Sequence, residues 1–132
     1  MPLKIELKPH EKIIVGEALI TNDSERTRLY IEGNAPILRE KFIMREAEAN
    51  TPCKKVYYVV LQMYLSKTPI NLHNTYFKLI GEVQSAAPSL MPIILKINDS
   101  IQSGEYYNAI KHSDELISKE KEIFEKVGIV NP

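Results

Sequence analysis

The stretch Leu29-Tyr-Ile-Glu-Gly-Asn-Ala-Pro-Ile-Leu-Arg-Glu40 decides how this chain is read. It ends a short β segment at Gly33-Asn34, two residues that tolerate the positive φ of a tight connection, and the hydrophobic pattern changes soon after it. Upstream, Leu3, Ile5 and Leu7 alternate with Lys4, Glu6 and Lys8, the period of a half-buried strand, until Pro9 stops it. A second strand is predicted over Lys12–Ile20, with Gly16 marking a bulge or bend. Thr21-Asn-Asp-Ser24 forms a turn cluster, and a third strand runs from Arg26 to Glu32. The phase of that strand sends Thr27, Leu29 and Ile31 to the core and Arg26, Arg28, Tyr30 and Glu32 outward. Ile37, Leu38, Phe42 and Ile43 complete an expected three- to five-stranded antiparallel meander.

Beyond Arg45 the apolar period lengthens to that of helices. Thr51-Pro52 is a helix start, Thr as N-cap and Pro at the first helical position, where its missing N–H costs nothing. That helix is expected to reach Leu65 and, being apolar nearly all round, to be the central buried one. Three more follow at about 72–86, 90–102 and 105–127, divided by Pro88 and Pro92 and then by Ser103-Gly104. The expected fold is therefore α+β: a small antiparallel β unit over residues 1–44, then a bundle of about four helices over 45–132. A β unit of that size buries little core alone, and Ile13, Ile14, Val15, Leu19 and Ile20 point to packing on the helices or to self-association through the β unit.

The chain has 132 residues, 44% hydrophobic and 26% charged, an ordinary globular composition. No apolar run approaches a bilayer span, and Met1-Pro2-Leu3-Lys4 opens no secretory leader, so no membrane is expected and a cytoplasmic location is. A single cysteine rules out an intrachain disulfide and agrees with a reducing compartment. Seventeen basic residues balance seventeen acidic ones, and residues 1–44 hold seven of each, so neither the chain nor the β unit carries the basic excess of a strong nucleic-acid binder.

Nothing in the sequence points to catalysis, a metal or a cofactor. His10, His73 and His112 stand in separate elements, and His112-Ser113-Asp114 places neighbours on one helix in different directions, which cannot form a relay. Cys53, in a first helical turn beside Lys54 and Lys55, has neighbours that would lower a thiol pKa, but a packed thiol is the favoured reading.

The specific signal is a family likeness. Met1-Pro2-Leu3 with Glu6-Leu7-Lys8-Pro9, Gly16 followed by Ile20-Thr-Asn22, Arg26, Leu38-Arg-Glu40, Ala49, Thr51-Pro52, Tyr57 and Gln62-Met-Tyr-Leu65 resembles the FlbT family of flagellin regulators. The similarity continues through Gly104-Glu-Tyr-Tyr107, Ala109 and Leu116-Ile117 and covers nearly the whole chain. The chain departs from the family pattern at His10, where most relatives carry Gly, and at Val15-Gly16, where they carry Asn-Gly. The resemblance implies a bacterial post-transcriptional repressor in flagellum biogenesis, acting on the 5′ untranslated region of flagellin mRNA to block translation or promote mRNA decay. A second likeness, in Val15-Gly16-Glu17, Asn34-Ala35-Pro36 and Arg39-Glu40, is similar to the order of elements in the carbon storage regulator family, β-stranded dimers that bind mRNA loops.

On this reading the β unit is the RNA-binding part. Lys4, Lys8, Arg26, Arg28 and Tyr30 share the polar parity of their strands; Asn34 lies in the turn, and Arg39, Lys41 and Arg45 just beyond. Arginines and lysines would hold phosphates or bases and Tyr30 would stack. The same residues also read as solvated outer faces balanced by Glu6, Glu25 and Glu32. Tyr57, Tyr58, Tyr64, Tyr106 and Tyr107 read first as core, but a tyrosine-rich groove between the central and last helices would suit a helical partner. That gives the rival reading, an adaptor that binds flagellin or a regulator of the FlaF type and touches no RNA.

Overall fold

The computed structural model describes residues 2–128, and the chain divides into two compact units, Met1–Ile43 and Met44–Pro132. Strands build the first and helices the second, the α+β class expected from the change of hydrophobic period.

In the first unit the strands are β1 (Leu3–Leu7), β2 (Lys12–Val15), β3 (Ala18–Thr21), β4 (Thr27–Ile31) and β5 (Ile37–Arg39). All pairings are antiparallel, but they do not form one meander: β1 pairs with β4, and β2 stands between β3 and β5 in a separate three-stranded sheet. The strand expected over Lys12–Ile20 is likewise two strands. Val15 pairs with Ala18 across a two-residue turn at Gly16-Glu17, with Gly16 at φ +63°, the first central position where a hairpin turn accepts Gly. Gly16 therefore reverses the chain instead of bending it. Register explains the core: Ile5, Leu7 and Ile13 are buried together, and Val15, Leu29, Ile31 and Ile37 pack on them. Thr27 departs from the expected inward phase. It is exposed at the start of β4, opposite Leu7, with its hydroxyl donating to the Glu25 carbonyl at 3.2 Å.

The link from β1 to β2 is a turn closed by the Glu11 N–H on the Lys8 carbonyl at 3.1 Å, with Pro9 and His10 at its centre. His10 has φ +63°, a left-handed value at the third position of the turn that glycine occupies without strain.

The second unit contains α1 (Pro52–Leu65), α2 (His73–Ala86), α3 (Met91–Gln102) and α4 (Tyr106–Lys126). The Thr51 hydroxyl accepts the Lys54 N–H at 3.2 Å, so the cap read from Thr51-Pro52 is formed. Pro92 lies inside the first turn of α3 and is not a separator; Pro88 opens the short 3-10 turn Pro88–Leu90 that parts α2 from α3. α1 packs on both α2 and α4, and α3 on α4. Val56, Val60, Ile94, Ile97, Ile110 and Leu116 are closed off from solvent.

One charged residue belongs to this interior. Glu120 follows Ala109, Ser113 and Leu116 on the buried stripe of α4 and is 7% exposed. Its Oε1 accepts the Thr51 hydroxyl at 2.5 Å and its Oε2 the Cys53 N–H at 3.0 Å. A carboxylate thus satisfies the free donors at the start of α1, where the helix dipole favours negative charge. Burial, and then the Glu120 charge, push the Cys53 thiol far above its ordinary range. Cys53 is a packed thiol, not an activated one.

Candidate nucleic-acid interface

Antiparallel pairing puts directly opposed residues on one face of a sheet. Between β1 and β4 the outward pairs are Lys4 with Tyr30 and Glu6 with Arg28. Tyr30 is 63% exposed, a large ring held out on a strand. Glu6 organises the cations beside it: its Oε1 lies 3.1 Å from Arg28 Nη2 and its Oε2 3.9 Å from Arg26 Nη1.

The face continues into a groove of about 640 Å³ lined by Glu6, Lys8, Glu11, Arg26, Arg39, Glu40 and Lys41. Arg39 donates through Nη2 to the Glu6 main-chain carbonyl at 2.8 Å, and the same nitrogen lies 3.6 Å from Glu11 Oε2. The Lys8 N–H donates to Glu11 Oε1 at 2.8 Å. That hydrogen bond, helped by the nearby Arg39 charge, holds the Glu11 carboxyl below its usual range. Glu40 accepts the Lys12 N–H at 3.0 Å, and Lys41 Nζ stands 4.9 Å from the centre of the Phe42 ring. Four cations face three carboxylates in this groove, so its positive excess is small. Lys4, Lys8 and Lys41 make no ion pair among the described residues.

The fold thus brings Lys4, Lys8, Arg26, Arg28, Tyr30, Arg39 and Lys41 to one continuous surface. Asn34 is exposed in the loop between β4 and β5 and lines none of it. Arg45 belongs to the second unit, where its N–H donates to Glu48 at 2.9 Å in a 3-10 turn. Glu6, Glu11 and Glu40 line the same groove and were not among the candidates read from the sequence. Glu6 shares the strand parity of Lys4 and Lys8, which was the available signal; Glu11 and Glu40 arrive through turns that no periodicity reports. Two of the three segments of the second likeness meet, since the Gly16 N–H donates to the Pro36 carbonyl at 2.8 Å.

The tyrosines divide. Tyr57 is 3% exposed, and burial raises its hydroxyl well above the ordinary range, so it cannot present a surface to a partner. Tyr58, Tyr64 and Tyr106 are half-buried and Tyr107 is exposed. Tyr64 and Tyr107 rings lie 5.7 Å apart, and His73 Nε2 is 3.0 Å from the Tyr106 hydroxyl. Tyr64, Tyr106 and Tyr107 edge a hollow of about 430 Å³ with Gly104, Glu105 and Asn108. A larger groove, about 830 Å³, runs between α3 and α4 instead of between the central and last helices. Leu90, Pro92, Ile93 and Ile123 floor it, and the ion pairs Lys96–Glu115 (3.6 Å) and Lys119–Glu122 (3.3 Å) rim it.

Among the described residues no three His, Cys, Asp or Glu side chains gather as a metal site, and no helix is long and apolar enough to cross a membrane. Fold and surface together define a small α+β protein that offers an open, charged sheet face with an exposed aromatic ring. The chain belongs to the FlbT family: the family model described as flagellar protein FlbT matches residues 3–124. It is 49% identical over 124 residues to the Probable flagellum biosynthesis repressor protein FlbT 1 of Bradyrhizobium diazoefficiens, covering 93% of this chain and 85% of that protein. It is 40% identical over 126 residues to the Probable flagellum biosynthesis repressor protein FlbT of Rhodopseudomonas palustris, covering 96% and 100%. The Flagellum biosynthesis repressor protein FlbT of Caulobacter vibrioides is 32% identical over 127 residues, covering 92% and 89%. No solved structure matches the chain.

Proposed function

We propose that this chain is a cytoplasmic repressor of flagellin synthesis that acts after transcription. It binds a single-stranded segment of the 5′ untranslated region of flagellin mRNA on the outer face of β1 and β4, and so blocks translation or promotes decay. Family membership and the repressor names of its relatives support the flagellar part of this reading. The observation that carries the RNA part is Tyr30, an exposed ring opposite Lys4 and on the same face as Arg28. Bases of single strands stack on such rings while flanking cations hold phosphates.

Charge sets the form of the test. The arginines are engaged by Glu6, Glu11 and a main-chain carbonyl, which leaves Lys4, Lys8 and Lys41 as the cations that exchange counterions most freely. Three phosphate contacts at about −0.7 each give a slope of about −2 in log K against log salt on a single strand. The experiment is a salt titration of the pure chain with a flagellin 5′ leader and with a scrambled leader. Binding with that shallow slope, lost on scrambling, supports the reading.

The balance of four cations by three carboxylates in the groove favours a second reading, an adaptor that engages flagellin or a FlaF-type regulator through the helical unit. Absence of RNA binding until such a protein is added selects the adaptor.

A further inference from the structure

β3 is the edge of its sheet, and all four of its residues are exposed, Leu19 by 59% and Ile20 by 37%. Its hydrogen-bonding alternation follows from the ladder. The Asn22 N–H donates to the Glu11 carbonyl at 2.9 Å, so bonded pairs fall at Glu11–Asn22, Ile13–Ile20 and Val15–Ala18. The N–H and C=O groups of Leu19 and Thr21 therefore point away from β2. Apart from the ladder to β2, no hydrogen bond or ion pair among the described residues involves Ala18–Thr21. The strand also lacks the devices that keep edges apart: it has no Lys, Pro or bulge.

We infer that the chain self-associates through β3, a second copy laying its own β3 antiparallel across a two-fold axis at Ile20. In that register Leu19 of each copy opposes Thr21 of the other. The open groups of both residues are then used in four main-chain hydrogen bonds, and the two three-stranded sheets become one of six strands. Ile20 meets its symmetry mate on the face that carries Ile13, extending a buried face instead of exposing a new one. A second copy fits better than a charged ligand because the strand is uncharged, and zero net charge on the whole chain removes the repulsion between copies. A four-residue edge buries much less than the roughly 1,200–2,000 Å² of a stable interface, so the dimer is weak and concentration-dependent, with a dissociation constant on the order of 100 μM.

The experiment is sedimentation of the full chain from micromolar to near-millimolar concentration, with amide hydrogen exchange on the same samples. The expected result is a monomer–dimer equilibrium in which the Leu19 and Thr21 amides gain protection with concentration while those of Ala18 and Ile20 do not change. Leu19→Lys, on an exposed side chain, and Thr21→Pro, which removes an outward donor, should each return the chain to monomer. A chain that stays monomeric near millimolar leaves the edge to another protein's strand and overturns the inference. So does a dimer whose Leu19 and Thr21 exchange ignores concentration, a readout on the unaltered chain that stands whether or not either variant folds.

Discussion

Arg39 lies on the candidate RNA face, yet its geometry is that of a structural tie, and Arg39→Ala separates the two roles. β5 and β1 belong to different sheets, and the guanidinium on β5 donates to the β1 carbonyl of Glu6 at 2.8 Å while facing Glu11 at 3.6 Å. A hydrogen bond from a charged donor contributes about 1.5–3 kcal/mol when buried. Arg39 is 42% exposed at its side chain, so the low end applies, and an ion pair at the surface adds between about 0 and 1 kcal/mol. The expected loss is about 1–2 kcal/mol, carried by the β unit. Whole-chain unfolding would blur it, because two compact units need not unfold as one. Native-state hydrogen exchange of the Ile5, Ile13 and Leu29 amides reads the unit directly, and should speed up by a factor of about 5–30. If those amides exchange as in the parent while RNA binding falls, Arg39 is a contact and the tie is unimportant.

Tyr30→Ala should weaken binding of the flagellin leader by about 1–3 kcal/mol, the scale of base–aromatic stacking, with little change in the salt slope; Tyr30→Phe should retain most of it, measured by fluorescence anisotropy. Glu120→Ala removes the acceptor from two donors at the head of α1, where the carboxylate is 7% exposed, and should cost the helical unit about 3–5 kcal/mol by urea denaturation. Glu120→Gln should recover part of that loss, and a transition unchanged by either substitution would show that water takes the carboxylate's place. His10→Gly relieves a left-handed residue and should raise stability by up to about 1 kcal/mol, the part of the roughly 1–2 kcal/mol strain that survives the entropy of the added glycine.

The helices were legible because their signals are local. Thr51-Pro52 fixed one start, the 3.6-residue stripes fixed the rest, and the boundaries fall within one or two residues of those expected. The sheet was harder because pairing is not local. Nothing in Leu3–Leu7 says that its partner is Thr27–Ile31 instead of the next strand, and an apolar run on both sides of Gly16 hid a two-residue hairpin. The outer face survived this error, since strand parity is independent of which strand pairs with which. Glu120 was missed although its spacing from Ser113 and Leu116 put it on the buried stripe; its donors lie 67 and 69 residues away in sequence. Tyr57 follows the core reading and Tyr58 is half-buried, a division that helical spacing alone does not give for the pair Tyr57-Tyr58.

Under the RNA reading, the carboxylates on the sheet face decide how selective this surface is. A strongly basic groove binds any nucleic acid, because counterion release ignores sequence. Here Glu6 holds Arg28 and faces Arg26, and Glu11 faces Arg39. A phosphate arriving at these arginines must displace or share a carboxylate, which lowers the non-specific term and leaves stacking on Tyr30 and contacts to base edges as the larger share of affinity. Glu6→Gln would remove that brake. Under the RNA reading it should tighten binding to the flagellin leader and to a scrambled leader together, and so narrow the ratio between them. Under the adaptor reading it should alter neither. The carboxylate that makes the face look unsuited to RNA is thus the residue whose removal best reports whether RNA is its ligand.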